Sequence, residues 1–323
     1  MALPDKPWPT GLVEQLEPLV GRLLAPNPSP FTYTGTQTYL VGDDKALVVI
    51  DPGPAEPDHL EALERAVGGA QVLAIACTHT HRDHSPAAAP LAARTGAPVV
   101  GCAQLTTFDT ATPGEVRSDA PFDLDYAPDW VLADGEVIEG RGWSLRAIAT
   151  PGHTSNHLCF ALEDADGPTG AVFTGDHVMG WSTTVVSPPD GDMGDYMASL
   201  ERLRARADRV FYPAHGPAVE RPAQLLRGMM GHRMQRERQI LKLLEETEYS
   251  PAQAAASGDM SGADGMRSLP AHGLTIGEMV PQMYRAVDRK LWPAAGQSVL
   301  AHLIELERRG RVVRSGDVWT TTA

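Results

Sequence analysis

The sequence predicts an α/β layered domain over residues 1–220, followed by a helical, winged-helix-like module over residues 221–323. Three observations carry this reading. Up to about residue 220, short β-rich runs alternate with helical periodicities and Gly/Pro turns, the pattern of a layered α/β domain. Beyond it, long helical patterns dominate and a hairpin closes the chain. Charge changes at the same place: residues 1–220 hold 13 Lys/Arg against 30 Asp/Glu (−17), and residues 221–323 hold 14 against 11 (+3).

The elements follow in order. Residues 38–41 and 46–50 are apolar runs joined by Gly42-Asp43-Asp44, a hairpin signal. Glu56 to Val67 reads as a helix with Leu60, Leu63 and Val67 on one face. Residues 71–77 form an apolar run suited to a buried strand. Pro86 to Arg94 reads as an Ala-rich helix, and 98–100 as the next strand. Residues 104–130 turn acidic, Pro-rich and aperiodic, and are expected to form a long flap-like loop. Strand patterns return at 143–149, 158–162 and 170–174. A helix is expected over 192–205, with Tyr196, Leu200 and Leu203 on one stripe, and a short strand at 210–212. After Pro222 a long helix runs to about Glu246, and a polar linker occupies 249–273. Thr275-Ile276-Gly277-Glu278 is a capping box. A helix from Ala294 to Arg309 ends at Gly310, and residues 312–313 and 318–319 flank a hairpin turn.

Composition excludes several classes. Hydrophobic residues make up 42% and charged residues 21%, so a disordered or fibrous chain is excluded. No run reaches the roughly 18 apolar residues of a membrane span, and residues 1–8 lack a secretory pattern. Three scattered cysteines make no disulfide framework, so a reducing, cytoplasmic location is expected, without a membrane partner. A net charge of −14 opposes a chain built to coat nucleic acid.

The densest chemistry is His79-Thr80-His81-Arg82-Asp83-His84, where the chain leaves the strand 71–77. His79 and His81, two apart, project to one side in extended chain. Asp83 and His84 lie past the bend. Imidazole and carboxylate donors suit zinc, with iron or manganese as alternatives. Further candidates stand at strand ends: Asp51, His153, Asp176 and His215. Among the other histidines, His157 is four residues after His153, and His177 is expected to be structural. His59, His272 and His302 are expected at the surface.

The ordered set Asp51, His79-x-His81-x-Asp83-His84, His153, Asp176 and His215 resembles the five-motif signature of the metallo-β-lactamase superfamily. The resemblance implies a four-layer αβ/βα sandwich with metals at one edge. One metal would take His79, His81 and His153, and the other Asp83, His84 and His215, with Asp176 bridging. Asp51 would support the metal-binding loop without ligating, and His157 is a candidate for the same role. Asp83 and Asp176 would also be the catalytic carboxylates, Asp83 orienting the attacking water. Asp195-Tyr196-Met197, Tyr212-Pro213-Ala214-His215-Gly216-Pro217 and His232-Arg233-x-x-Arg236-Glu237, with the C-terminal module, are similar to the lactamase-β-2-like branch. Its animal members are endoribonucleases acting on single-stranded RNA, and fungal carrier-protein thioesterases also resemble it.

These features predict a binuclear zinc-dependent hydrolase of a small carboxylic ester, thioester or lactone. Cleavage of single-stranded RNA is the alternative, and β-lactam hydrolysis is expected only as a weak side activity. The acidic catalytic domain favours a small-molecule substrate over a polyanion. His232, Arg233 and Arg236 share a helical face and are expected to anchor an anionic substrate group, or to dock the helix. A homodimer is the expected assembly if the C-terminal module is a dimer element.

Overall fold

The structure, a computed structural model, describes residues 8–105, 122–248 and 273–322. The chain divides into two compact units: residues 1–184 with 195–227, and residues 185–194 with 228–323.

Among the described residues the first unit holds two sheets. The larger runs in spatial order β1 (Val13–Glu17), β2 (Val20–Leu24), β3 (Gln37–Gly42), β4 (Ala46–Ile50), β5 (Gln71–Cys77), β6 (Val99–Gly101) and β7 (Trp130–Val131). β1 to β4 are antiparallel, and β4 to β7 are parallel. The smaller comprises β8 (Val137–Glu139), β9 (Trp143–Ala149), β10 (Leu158–Asp164), β11 (Gly167–Gly175) and β12 (Val210–Pro213), in the order β12-β11-β10-β9-β8. β4 is buried at all five positions, as expected of an apolar run inside a sheet covered on both faces.

The sheets share one core. Val41, Val48, Ile75 and Val100 of the first pack in the same cluster as Leu145, Phe160 and Phe173 of the second. Tyr39 meets Phe173 and Tyr212 with ring centroids 5.0 and 5.8 Å apart. Helix α1 (Pro57–Val67) starts with Pro at its first turn and buries Leu60, Leu63 and Val67 in this cluster; α2 (Ala88–Thr95) adds Leu91. Helix α3 (Met193–Ala205) buries Tyr196, Leu200 and Leu203. Two faced sheets flanked by helices constitute the predicted αβ/βα sandwich.

The second unit takes most of α4 (Pro222–Glu248), then β13 (Leu274–Thr275), α5 (Ile276–Met283), α6 (Trp292–Arg308), β14 (Val312–Ser315) and β15 (Val318–Thr321). Thr275 closes the predicted capping box with Glu278. β15 pairs with both β14 and β13, so the C-terminal hairpin becomes a three-stranded wing. Trp319, Leu303, Val299, Met279 and Ile240 form its core.

Several expectations need correction. β1 and β2 are absent from the sequence reading because their alternation is interrupted by Glu14, Glu17 and Arg22. The loop expected over 104–130 ends early: Tyr126 is buried and β7 begins at Trp130. The middle of that segment, 106–121, lies outside the described residues, as does His272. His59 and His302 are 1% and 3% exposed, not at the surface. Each occupies an inward position of its helix, and His59 Nε2 bonds the Pro52 carbonyl at 2.9 Å.

Candidate metal centre

The functional side chains come from strand ends in the first unit. β5 ends at Cys77, and Thr78 to His84 leave its carboxyl end in a tight turn closed by His84 N–H to His81 O at 2.9 Å. β4 ends beside it, and Asp51 follows with φ +47°. That left-handed conformation is uncommon for a side-chain-bearing residue. Asp51 is held there by its N–H to Ala76 O at 2.8 Å and by Thr38 Oγ1 on its own carbonyl at 2.7 Å. β9 delivers His153, β11 delivers Asp176 and β12 delivers His215.

Two donor groups converge. His79, His81, His153 and Asp176 form one, and Asp83, His84 and His215 the other; within each, the potential ligand atoms lie within 4.8 Å of one another. His79 Nε2 is 2.9 Å from His81 Nδ1, which is 3.1 Å from His153 Nε2. Asp83 Oδ2 is 3.3 Å from His84 Nε2 and 3.1 Å from His215 Nε2. Asp176 reaches both groups: Oδ2 is 3.7 Å from His153 Nε2 and 3.6 Å from His84 Nε2, and Oδ1 is 3.2 Å from His215 Nε2.

Proton bookkeeping tests whether these residues fit a cation. Asp51 Oδ2 accepts from Thr78 Oγ1 at 2.8 Å and from His84 Nδ1 at 3.0 Å, and Oδ1 accepts the Thr78 N–H at 2.7 Å. The Thr78 hydroxyl proton is thus committed to Asp51, so Thr78 Oγ1 accepts from His79 Nδ1 at 2.9 Å. His215 Nδ1 faces Gly35 O at 3.4 Å. The outward nitrogens of His79, His84 and His215 therefore carry protons, so that their Nε2 atoms are the ones that would offer lone pairs to a cation in the centre. His84 Nε2 is buried and makes no hydrogen bond. Inward lone pairs beside two carboxylates are the donor set of a divalent cation.

Electrostatics divides the two groups. Burial and then the charges of neighbouring imidazoles hold His79 well below its usual range. Burial, reinforced by His153, brings His81 to about 3. Burial also opposes a charge on His215, but Asp176 and Asp83 outweigh it and raise it to about 9. Around neutral pH His79 and His81 are therefore uncharged, whereas His84 and His215, raised by the neighbouring carboxylates, hold protons that a bound cation would displace.

His157, a candidate for a supporting role, accepts the Asp176 N–H on Nε2 at 3.3 Å, and its Nδ1 bonds Thr150 Oγ1 at 2.9 Å. His177 is buried between the rings of His157 and Tyr196, at 5.6 and 4.7 Å. His232, Arg233 and Arg236 lie in the second unit. Arg233 is 3% exposed and donates to Ser298 Oγ at 3.2 Å. Arg236 donates to Met283 O at 3.1 Å and lies 4.4 Å above the Tyr284 ring.

Sequence reasoning missed four contributors. Thr78 carries the Asp51–His79 relay, and its place directly before His79 was the available signal. Phe122, in an aperiodic stretch, pairs with His81 as an isolated bridge and packs against its ring in a tilted arrangement, centroids 4.7 Å apart. Arg82 Nε and Ser85 Oγ clamp that stretch through Phe122 O at 2.9 Å and Asp123 Oδ2 at 2.7 Å.

Comparison with known proteins gives the family. Residues 32–215 match the model of the metallo-beta-lactamase superfamily, and residues 275–319 that of the beta-lactamase associated winged helix domain. The chain is 31% identical over 259 residues to an atrochrysone carboxyl ACP thioesterase of Cryptosporiopsis sp., covering 80% of this chain and 72% of that protein. It is 29% identical over 310 residues to the beta-lactamase-like protein 2 homolog of Drosophila melanogaster, covering 94% of each. A beta-lactamase domain protein from Burkholderia ambifaria has the same fold, with a TM-score of 0.72 at 20% identity over 98% of this chain and 96% of that one. With both donor groups in place and matches spanning both units, the chain belongs to the metallo-beta-lactamase superfamily, in its beta-lactamase-like protein 2 branch, and is a metal-dependent hydrolase.

Proposed function

We propose that the chain is a binuclear zinc hydrolase of ester-type bonds, acting on a small carboxylic ester, thioester or lactone. The observation that carries the two-metal reading is Asp176, whose carboxylate lies 3.2–3.7 Å from His153, His84 and His215 and so faces both donor groups. His79, His81 and His153 would hold one ion, Asp83, His84 and His215 the other, and Asp176 both. Nitrogen-rich sets with one or two carboxylates suit zinc. Divalent ions at this position supply Lewis acidity, lowering the pKa of water to about 7 and polarising a carbonyl oxygen.

The protein's own residues do the rest. Asp51, Thr78 and His157 fix the imidazole tautomers and the Asp176 backbone before substrate arrives, so no reorganisation is needed during reaction. Asp83, whose side chain is 27% exposed, would orient the attacking water. Phe122, against His81, offers an aromatic wall to an acyl group. The ester-type substrate is supported by the −17 balance of residues 1–220, which opposes a polyanion, and by the thioesterase named among the relatives. Catalysis is assigned to residues 1–220, which contain every member of both donor groups, with residues 221–323 as an accessory module.

Elemental analysis after purification without chelator, paired with a panel of thioesters, lactones, β-lactams and short single-stranded RNA, tests the reading. Two zinc ions per chain and turnover of a thioester or lactone are expected. A ceiling of one ion removes the binuclear reading, and cleavage of RNA with inert esters removes the substrate assignment.

A further inference from the structure

We propose that Gly35-Thr36-Gln37, at the entrance to β3, is the support that positions the second donor group, Asp83, His84 and His215, and not the first. The inference rests on the binuclear reading above. None of these three residues carries metal chemistry in its own right, yet each addresses the second group. The Gly35 carbonyl accepts from His215 Nδ1 at 3.4 Å. Gln37 holds the chain on either side of His215: its N–H donates to Ala214 O at 2.8 Å, and its Nε2 donates to Pro213 O at 3.0 Å and to Gly216 O. Both side chains are buried, at 0% exposure for Thr36 and 3% for Gln37.

Thr36 supplies the contact to Asp83. Its Oγ1 accepts from Asn27 Nδ2 at 2.9 Å, while its N–H donates to Asn27 Oδ1 at 2.8 Å. Asn27 thus grips Thr36 at two points and occupies a lone pair of the hydroxyl. The hydroxyl proton is left for Asp83 Oδ2, 3.4 Å away, and an ionised carboxylate can only accept. That same oxygen faces His84 and His215, so the hydroxyl fixes the rotamer of the ligating atom itself. The path of the chain demands glycine first: Gly35 has φ +134°, and a Cβ there would lie 2.2 Å from Ala25 O. Among the described residues, the hydrogen bonds of 35–37 that reach ligands go to the second group alone.

Removing such outer partners weakens metal affinity by about 10–100-fold. The test uses Thr36→Val, which keeps the shape and removes the proton, and Thr36→Ser, which restores it. Zinc affinity is measured by chelator competition in two backgrounds, His153→Ala, which leaves the second group complete, and His215→Ala, which leaves the first. Thr36→Val is expected to lower affinity about 10-fold or more in the His153→Ala background and to leave it unchanged in the His215→Ala background, with Thr36→Ser close to the parent in both. Asn27→Ala, which keeps the Thr36 hydroxyl but removes both hydrogen bonds that orient it, is expected to show the same selectivity. Equal losses in the two backgrounds, or no loss in either, overturn the proposal. A wild-type chain that takes up only one ion overturns the binuclear reading on which it rests.

Discussion

Asp51 shows how much one residue can organise from outside the ligand set. Its carboxylate accepts three hydrogen bonds, two from Thr78 and one from His84, and so sets the tautomers of two metal-facing imidazoles. Asp51→Ala is expected to reduce zinc affinity about 10–100-fold, measured by chelator competition; unchanged affinity would show that the imidazoles orient without it. Asp176→Ala should remove most turnover while the metal-free chain still folds, seen as a cooperative melt. Full turnover with two ions bound would reduce Asp176 to a turn residue. Metal-free protein should also have a stability maximum near pH 6.5. His81 is depressed from 6.5 to about 3, so its contribution is present above 6.5 and lost as pH falls towards 3. His215 is raised from 6.5 to about 9, so its contribution is present below 6.5 and lost as pH rises through 9. Thermal melts of chelated protein across this range check the sign on each side; a melting temperature that rises steadily from pH 6.5 to 9 contradicts it.

At the level of elements, the centre depends on strand ends approaching more closely than side chains normally permit. Gly175, at the end of β11 with φ +47°, would direct a Cβ to 2.6 Å from Thr78 Oγ1 and 2.7 Å from His157 Nε2. Gly175→Ala is therefore expected to cost about 1–3 kcal/mol and to lower metal content with it, read by denaturant unfolding and elemental analysis. A stable variant with two ions would mean that β5 and β11 can separate without loss. Phe122 makes a different kind of contribution, because it covers His81 without holding a cation. Phe122→Ala should raise KM for an aromatic or long acyl ester while leaving zinc content at the parental value. A fall in zinc instead would make Phe122 a brace for His81 and not a substrate wall.

Across the whole molecule, the chain divides into a compact unit that carries both donor groups and a helical, winged unit with its own core. No described helix is long and apolar enough to cross a membrane. Arg233 and Arg236 are held by Ser298, Met283 and Tyr284 of the second unit, which points to packing of α4 as their main task. Arg233→Ala should then lower the melting temperature and reduce turnover of charged and neutral esters alike. Selective loss on the charged ester, with an unchanged melting temperature, would restore these arginines as a substrate anchor.

The sequence by itself determined the apolar strands β4 and β5, the order of the candidate ligands and the module's capping box, because all of these are local. Apolar run length marks β4 and β5, a two-residue spacing pairs His79 with His81, and Thr275 reaches only as far as Glu278. Tertiary structure decided whatever depends on contacts between distant segments. His59 and His302 are buried because their helix faces meet cores that helical periodicity alone could not orient. Thr36 meets Asp83 across 47 positions of chain, and His215 meets Gly35 across 180. Phe122 is held at the centre by its bridge to His81, by Arg82 on its carbonyl and by Ser85 on the neighbouring Asp123. Long-range pairings of this kind carry no local periodicity, since the partner that satisfies each polar group is chosen by the packing of the two sheets.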